Sequence, residues 1–112
     1  MSRDVDEDLL FRALADPVRR QLLDRLRAQQ GLTLAALIDG LPMTRQGASK
    51  HLAILEAANL VAVVRRGREK LHYLNPVPIQ QIAARWIGAF EADRVAGLVE
   101  FQRLVEKDED NG

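Results

Sequence analysis

The chain has 112 residues, 47% of them apolar, with 16 basic and 16 acidic side chains and no cysteine. A length of this order builds one hydrophobic core and not two, and without cysteine there is no disulfide framework, thiolate metal site or thiol nucleophile. No apolar run reaches the roughly 18 to 20 residues of a membrane-spanning helix, and the acidic start from Met1 to Asp8 is the reverse of a signal peptide's basic entry, so a soluble, cytoplasmic protein without a membrane partner is expected.

The zero net charge is a sum over segments of opposite sign. Residues 1–11 carry one base and four acids, residues 12–72 eleven bases and five acids, and residues 73–112 four bases and seven acids. Local positive potential is what displaces counterions from DNA, so the basic middle is the part to expect against phosphate.

In chain order, Leu9, Leu10, Ala13 and Leu14 follow helical spacing after an acidic first turn, which predicts a helix over 5–14. Asp16 and Pro17 are a cap and a first helical residue. They open a second helix in which Val18, Leu22, Leu23 and Leu26 form the apolar stripe, Arg19, Arg20, Asp24, Arg25 and Arg27 the outer face, and Gly31 the close. Thr33 caps a short third helix, Leu34 to Ile38, broken by Asp39-Gly40-Leu41-Pro42. Thr44 caps a fourth, with Ala48, Leu52, Leu55 and Ala58 on its buried side and Asn59 at its end in a left-handed conformation. Two helices joined by a tight turn form a helix-turn-helix.

The period then changes to that of strands, Leu60–Val64 and Leu71–Leu74, with a basic tip around Gly67. From Ile79 to about Lys107 a last helix places Ile79, Ile82, Ala83, Trp86, Phe90, Leu98, Phe101 and Val105 along one side, with Asp93 and Gly97 interrupting the stripe. The expectation is a mainly α fold with a small β-hairpin, a winged helix-turn-helix with the hairpin between the fourth and fifth helices. One domain covers 1–107 and a polar disordered tail 108–112.

The residues that carry chemistry stand at the start of the fourth helix. In helix-turn-helix geometry that end enters the major groove, where Arg and Gln make bidentate contacts to base edges and Ser or Lys bonds phosphate or base. Arg45, Gln46, Ser49 and Lys50 are the candidates, with Thr44 as cap and phosphate contact and His51 as a packing or phosphate-contacting residue. Arg65, Arg66, Arg68 and Lys70 surround the hairpin tip, placed for the backbone or minor groove of adjacent DNA.

Leu14-Ala-Asp-Pro-Val-Arg-Arg20, Thr44 through Leu52, Leu55 through Val61 and Arg65 through Tyr73 together resemble the ArsR-type winged helix-turn-helix regulators over nearly the whole chain. The resemblance implies a homodimer, paired mainly through its first and last helices, that binds an operator as a repressor. The apolar stripe of the last helix independently asks for a partner, and Leu9, Leu10, Ile79, Ile82, Trp86, Phe90 and Phe101 are the interface candidates. Two-fold pairing sets recognition helices about 34 Å apart, matching an inverted repeat in double-stranded DNA.

Many members of this family sense metals through cysteines in the third helix or His and carboxylate ligands in the last. Here the only histidines are His51 and His72, neither in the last helix, so neither metal nor cofactor is expected. Trp86 and Phe90 are read as core in preference to an effector pocket, although a small-molecule effector stays open. Asp16, Asp24, Asp39 and Glu56 are scattered, and Ser49 and His51 point to different faces of their helix, so no enzyme is expected. The other reading is a winged-helix protein-interaction module without DNA binding. Basic residues on both the recognition helix and the wing favour DNA.

Overall fold

A computed structural model describes residues 6–111 and, among these, the side chains up to Lys107. The elements run α1 (Glu7–Ala15), α2 (Pro17–Ala28), α3 (Leu34–Ile38), α4 (Arg45–Ala57), β1 (Val61–Arg66), β2 (Glu69–Leu74) and α5 (Val77–Asn111). Five helices with a hairpin before the last is the expected order. Val5, the expected first residue of α1, and Gly112 lie outside the described residues.

The helices start where short polar side chains satisfy free amides. The carboxylate of Asp6 accepts from the Leu9 amide at 3.1 Å, that of Asp16 from Val18 at 2.7 Å, and the hydroxyls of Thr33 and Thr44 accept from Ala36 at 3.2 Å and Gly47 at 3.0 Å. Asn59 ends α4 with φ 61°, the left-handed conformation expected of it.

The chain forms two units, one up to Gln80 and one from Gln81 onward. In the first, Leu10 and Ala13 of α1, Leu22, Leu23 and Leu26 of α2, Leu37 of α3, Ala48, Leu52 and Leu55 of α4, and Ala58, Leu60 and Val61 beyond it form the core. Burying a leucine contributes about 1.5–3 kcal/mol, so the seven of these eight leucines that lie on helices anchor all four of them. α5 carries exposed Trp86, Ile87, Phe90, Val95, Leu98, Val99, Phe101 and Leu104.

Three expectations need correction. α2 stops at Ala28 with Gln29 as its cap, three residues before Gly31. Gly31 instead turns the chain at φ 78° so that its amide donates to the His72 carbonyl at 2.8 Å, and a Cβ there would stand 3.0 Å from the Tyr73 hydroxyl. The strands are six residues each and pair in register from Val61 with Leu74 to Arg66 with Glu69. The basic residues Arg65, Arg66 and Lys70 are thus part of the ladder, and the connection is only Gly67-Arg68, with Gly67 at φ 63° in the first position, as tight antiparallel turns favour. Finally, α5 continues past Lys107 to Asn111, so residues 108–111, expected as a disordered tail, have helical backbone.

A further strand-like contact was not anticipated. Leu32 bridges antiparallel to His72: its carbonyl accepts from the His72 amide at 2.8 Å and its amide donates back to the His72 carbonyl at 3.2 Å. His72 is 5% exposed, and its ring Nδ1 donates to the same Leu32 carbonyl at 2.8 Å. The root of the hairpin is thereby tied to the segment between α2 and α3.

Candidate nucleic-acid interface

α4 presents two polar strips. With 3.6 residues per turn, Arg45 and Ser49 share one and Gln46 and Lys50 another, while Ala48, Leu52 and Leu55 face inward. Thr44, Arg45, Gln46, Ser49 and Lys50 are exposed and His51 is half-buried. The expected recognition residues therefore sit together at the N-terminal end of one helix, where the backbone dipole adds positive potential.

The hairpin is placed by strand alternation. Val61, Val63, Arg65, Lys70, His72 and Leu74 occupy one face, and Ala62, Val64, Arg66, Glu69, Leu71 and Tyr73 the other. The first face holds the buried Val61 and His72, so Arg65 and Lys70 continue the side that looks onto the helices. An open groove of about 620 Å³ is lined by Arg45, Ser49 and Glu56 of α4, Thr33 and Leu34 at the start of α3, and Val63, Glu69, Lys70 and His72 of the hairpin, among others. One strip of α4 and the hairpin, mainly through the face that carries Val63, Lys70 and His72, thus border the same space. Arg66 and Arg68 are exposed on the outer face and at the turn.

The basic outer face expected for α2 is largely committed elsewhere. Arg19 is 8% exposed, its Nε donating to the Ala13 carbonyl and its Nη2 to the Arg12 carbonyl, each at 2.8 Å. Arg20 donates to the Leu14 carbonyl at 2.6 Å, and Arg25 to the carbonyls of Leu37 and Asp39. Arg27 lies 3.8 Å from Asp24 on the surface. The first three close the C-terminal ends of α1 and α3, whose last carbonyls lack helical partners. Sequence reasoning missed these roles. The one local hint was that α1 ends at Ala15 with Asp16-Pro17 and no glycine after it; α3 gives none, since Gly40 at φ 77° follows its cap Asp39.

Asp16 lies under the same network. Burial alone raises its pKa, but the amides of Val18 and Arg19 and the charges of Arg19 and His51 outweigh this and hold the carboxyl below its ordinary value.

The interface candidates divide. Leu10 is 1% exposed and belongs to the core of its own chain, because with Ala13 it forms the side of α1 turned to α2 and α4. Leu9 and Ile82 are partly exposed, and Ile79, Trp86, Phe90 and Phe101 exposed. Trp86 and Phe90, read from their spacing as core, lie with ring centroids 5.5 Å apart on α5 but are exposed in the single chain. Phe11 of α1, not anticipated, is 45% exposed. A hollow of about 210 Å³ along Arg85, Trp86, Ala89, Phe90 and Asp93 is smaller than the roughly 300–1,000 Å³ of a typical small-molecule site.

Among the described residues no group of three His, Asp or Glu side chains is arranged to hold a metal ion, and no helix is long and apolar enough to cross a membrane.

Residues 14–64, from the end of α1 to the middle of β1, match a helix-turn-helix domain family. The chain is 36% identical over 88 residues to the uncharacterized HTH-type transcriptional regulator YuzN of Bacillus subtilis, covering 73% of this chain and 96% of that protein. It is 30% identical over 71 residues to the transcriptional repressor SdpR of the same organism, covering 63% and 78%. Among solved structures, an ArsR-like transcriptional regulator from Rhodococcus sp. RHA1 superposes with a TM-score of 0.68 at 31% identity, over 81% of this chain and 87% of that one.

Proposed function

Since the chain belongs to the ArsR-type winged helix-turn-helix transcriptional regulators, we propose that it acts in the cytoplasm as a homodimeric repressor that binds an operator with inverted-repeat symmetry. Its relatives are regulators and not enzymes. The observation that carries the reading is the shared groove: Arg45 and Ser49 of α4 and Lys70 of the wing border one open space, with Arg65 on the same strand face. In this arrangement α4 enters the major groove, with Arg45, Gln46 and Ser49 at base edges, Thr44 and Lys50 at phosphate, and the hairpin's Arg65, Arg66, Arg68 and Lys70 at the backbone or minor groove.

Dimerisation is supported by the exposed apolar residues of α5, since a solitary chain rarely leaves so long an apolar series in water. Leu9, Ile79, Ile82, Trp86, Phe90 and Phe101 are the proposed contacts, and a small-molecule effector acting at that interface is compatible with them. Selection of random duplexes by the purified protein, followed by titration of the enriched sequence at two salt concentrations, tests the reading. An enriched inverted repeat, two chains per duplex and steep salt dependence are expected. Absence of enrichment together with weak, sequence-blind binding defeats it in favour of a protein-interaction module.

A further inference from the structure

Arg19 differs from the other arginines of α2 in being buried, and arginine is rarely buried without partners. Its contacts with α1 engage Nε and Nη2, and Nη1 lies 3.7 Å from the Asp16 carboxylate. The remaining contact reaches across 32 positions to the recognition helix, where Nη1 is 3.3 Å from Nδ1 of His51.

A guanidinium only donates, so Nδ1 of His51 must offer its lone pair. The neutral ring then carries its proton on Nε2, because a proton on Nδ1 would set N–H against N–H. His72 has the opposite assignment: its Nδ1 faces a carbonyl oxygen, which only accepts, at 2.8 Å, so Nδ1 carries the proton. The two histidines of the chain are held in opposite tautomers by their partners.

We infer that Arg19 is a positioning residue for the DNA interface, holding the half-buried His51 ring with Nε2–H on the edge away from Arg19 as a fixed donor to a DNA phosphate oxygen. This rests on the proposed operator binding. Arg19 grips α1 and α4 at once, so the donor is oriented by the body of the fold and not by the recognition helix alone.

The test pairs ring proton–nitrogen correlation spectra of histidine-labelled protein with titration of the duplex obtained by selection. In the wild type, one histidine shows protonated Nε2 and the other protonated Nδ1. The Nε2–H signal disappears in His51→Gln, which assigns it. Arg19→Lys keeps the charge but cannot span two carbonyls and the ring, so His51 then shows a mixture of tautomers. His51→Gln retains an outward amide donor and binds within about threefold of wild type. His51→Asn can take the Arg19 bond but is too short to reach phosphate, and loses about tenfold.

Protonated Nδ1 on wild-type His51, or wild-type affinity in His51→Asn, overturns the inference. Should Arg19→Lys fail to fold, the wild-type spectrum and the two His51 variants decide it. A wild-type chain that binds no duplex yet shows the Nε2–H signal defeats the operator reading and leaves the Arg19–His51 arrangement standing.

Discussion

Arg65 and Lys70 stand directly opposite one another on the same face of the hairpin. Like charges in that relationship repel across strands, whereas the next pair, Arg66 with Glu69, is of opposite sign. The hairpin thus carries a repulsion that an anion between the two side chains relieves. Arg65→Thr is expected to stabilise the free protein by about 0.2–1 kcal/mol in thermal unfolding while weakening binding to DNA of any sequence. A variant that gains stability at no loss of affinity would remove Arg65 from the interface.

In the proposed complex the two polar strips of α4 and the outer wing divide the work. Arg45→Ala or Gln46→Ala costs roughly 1–3 kcal/mol on the selected duplex and relaxes its sequence preference. Arg66→Ala or Arg68→Ala weakens specific and random duplexes alike and lowers the salt slope by about one. Titrations of all four on both duplexes read this directly, and equal losses everywhere would contradict it.

Removing aromatic surface from α5 separates assembly from folding. Trp86→Ala with Phe90→Ala is expected to sediment as a monomer with its helical content retained, because both side chains are exposed in the single chain. An intact dimer in ultracentrifugation would move the interface to other residues.

Acid titration isolates Asp16. Its pKa in the folded chain is below the ordinary value, so the folded state favours the carboxylate more than the unfolded state does. The resulting stability is present in full above the unfolded aspartate value, near ~3.9, and is lost as pH falls through the lower folded value. Asp16→Asn is therefore less stable at neutral pH and has a shallower acid-unfolding profile below about pH 4. Denaturant unfolding at several pH values checks this, and parallel profiles for the two proteins would contradict it.

Features set by neighbours along the chain were legible before the fold was known. Thr33, Thr44 and Asp16 act as caps and Asn59 adopts positive φ because each needs only groups two or three residues away. The polar residues of α4 were equally readable, since a helical period and a cap suffice to place them. The arginines of α2 were not. Arg19, Arg20 and Arg25 reach carbonyls 6 to 14 positions away, and helical spacing alone gives no sign that a cation facing outward meets the end of another helix. Of these only Arg19 is buried and Arg25 half-buried, so the exposed cations of the basic middle are Arg12, Arg20 and Arg27 as well as Arg45, Lys50 and the wing. Leu32 escaped for a related reason: a bridge of one residue has no period to detect. The length of the strands was underestimated because Arg65 and Lys70 were read as turn residues by their charge, whereas the backbone pairing is indifferent to it.

The bridge between Leu32 and His72 makes the hairpin a cantilever, clamped at one end and loaded at the other. Amides at the clamp, Leu32 and His72 among them, are expected to exchange slowly with solvent, and those around Gly67 quickly. The positive charge rides on the free end, so in the proposed complex the wing would meet minor grooves of different width by bending near its tip while its mounting keeps its place.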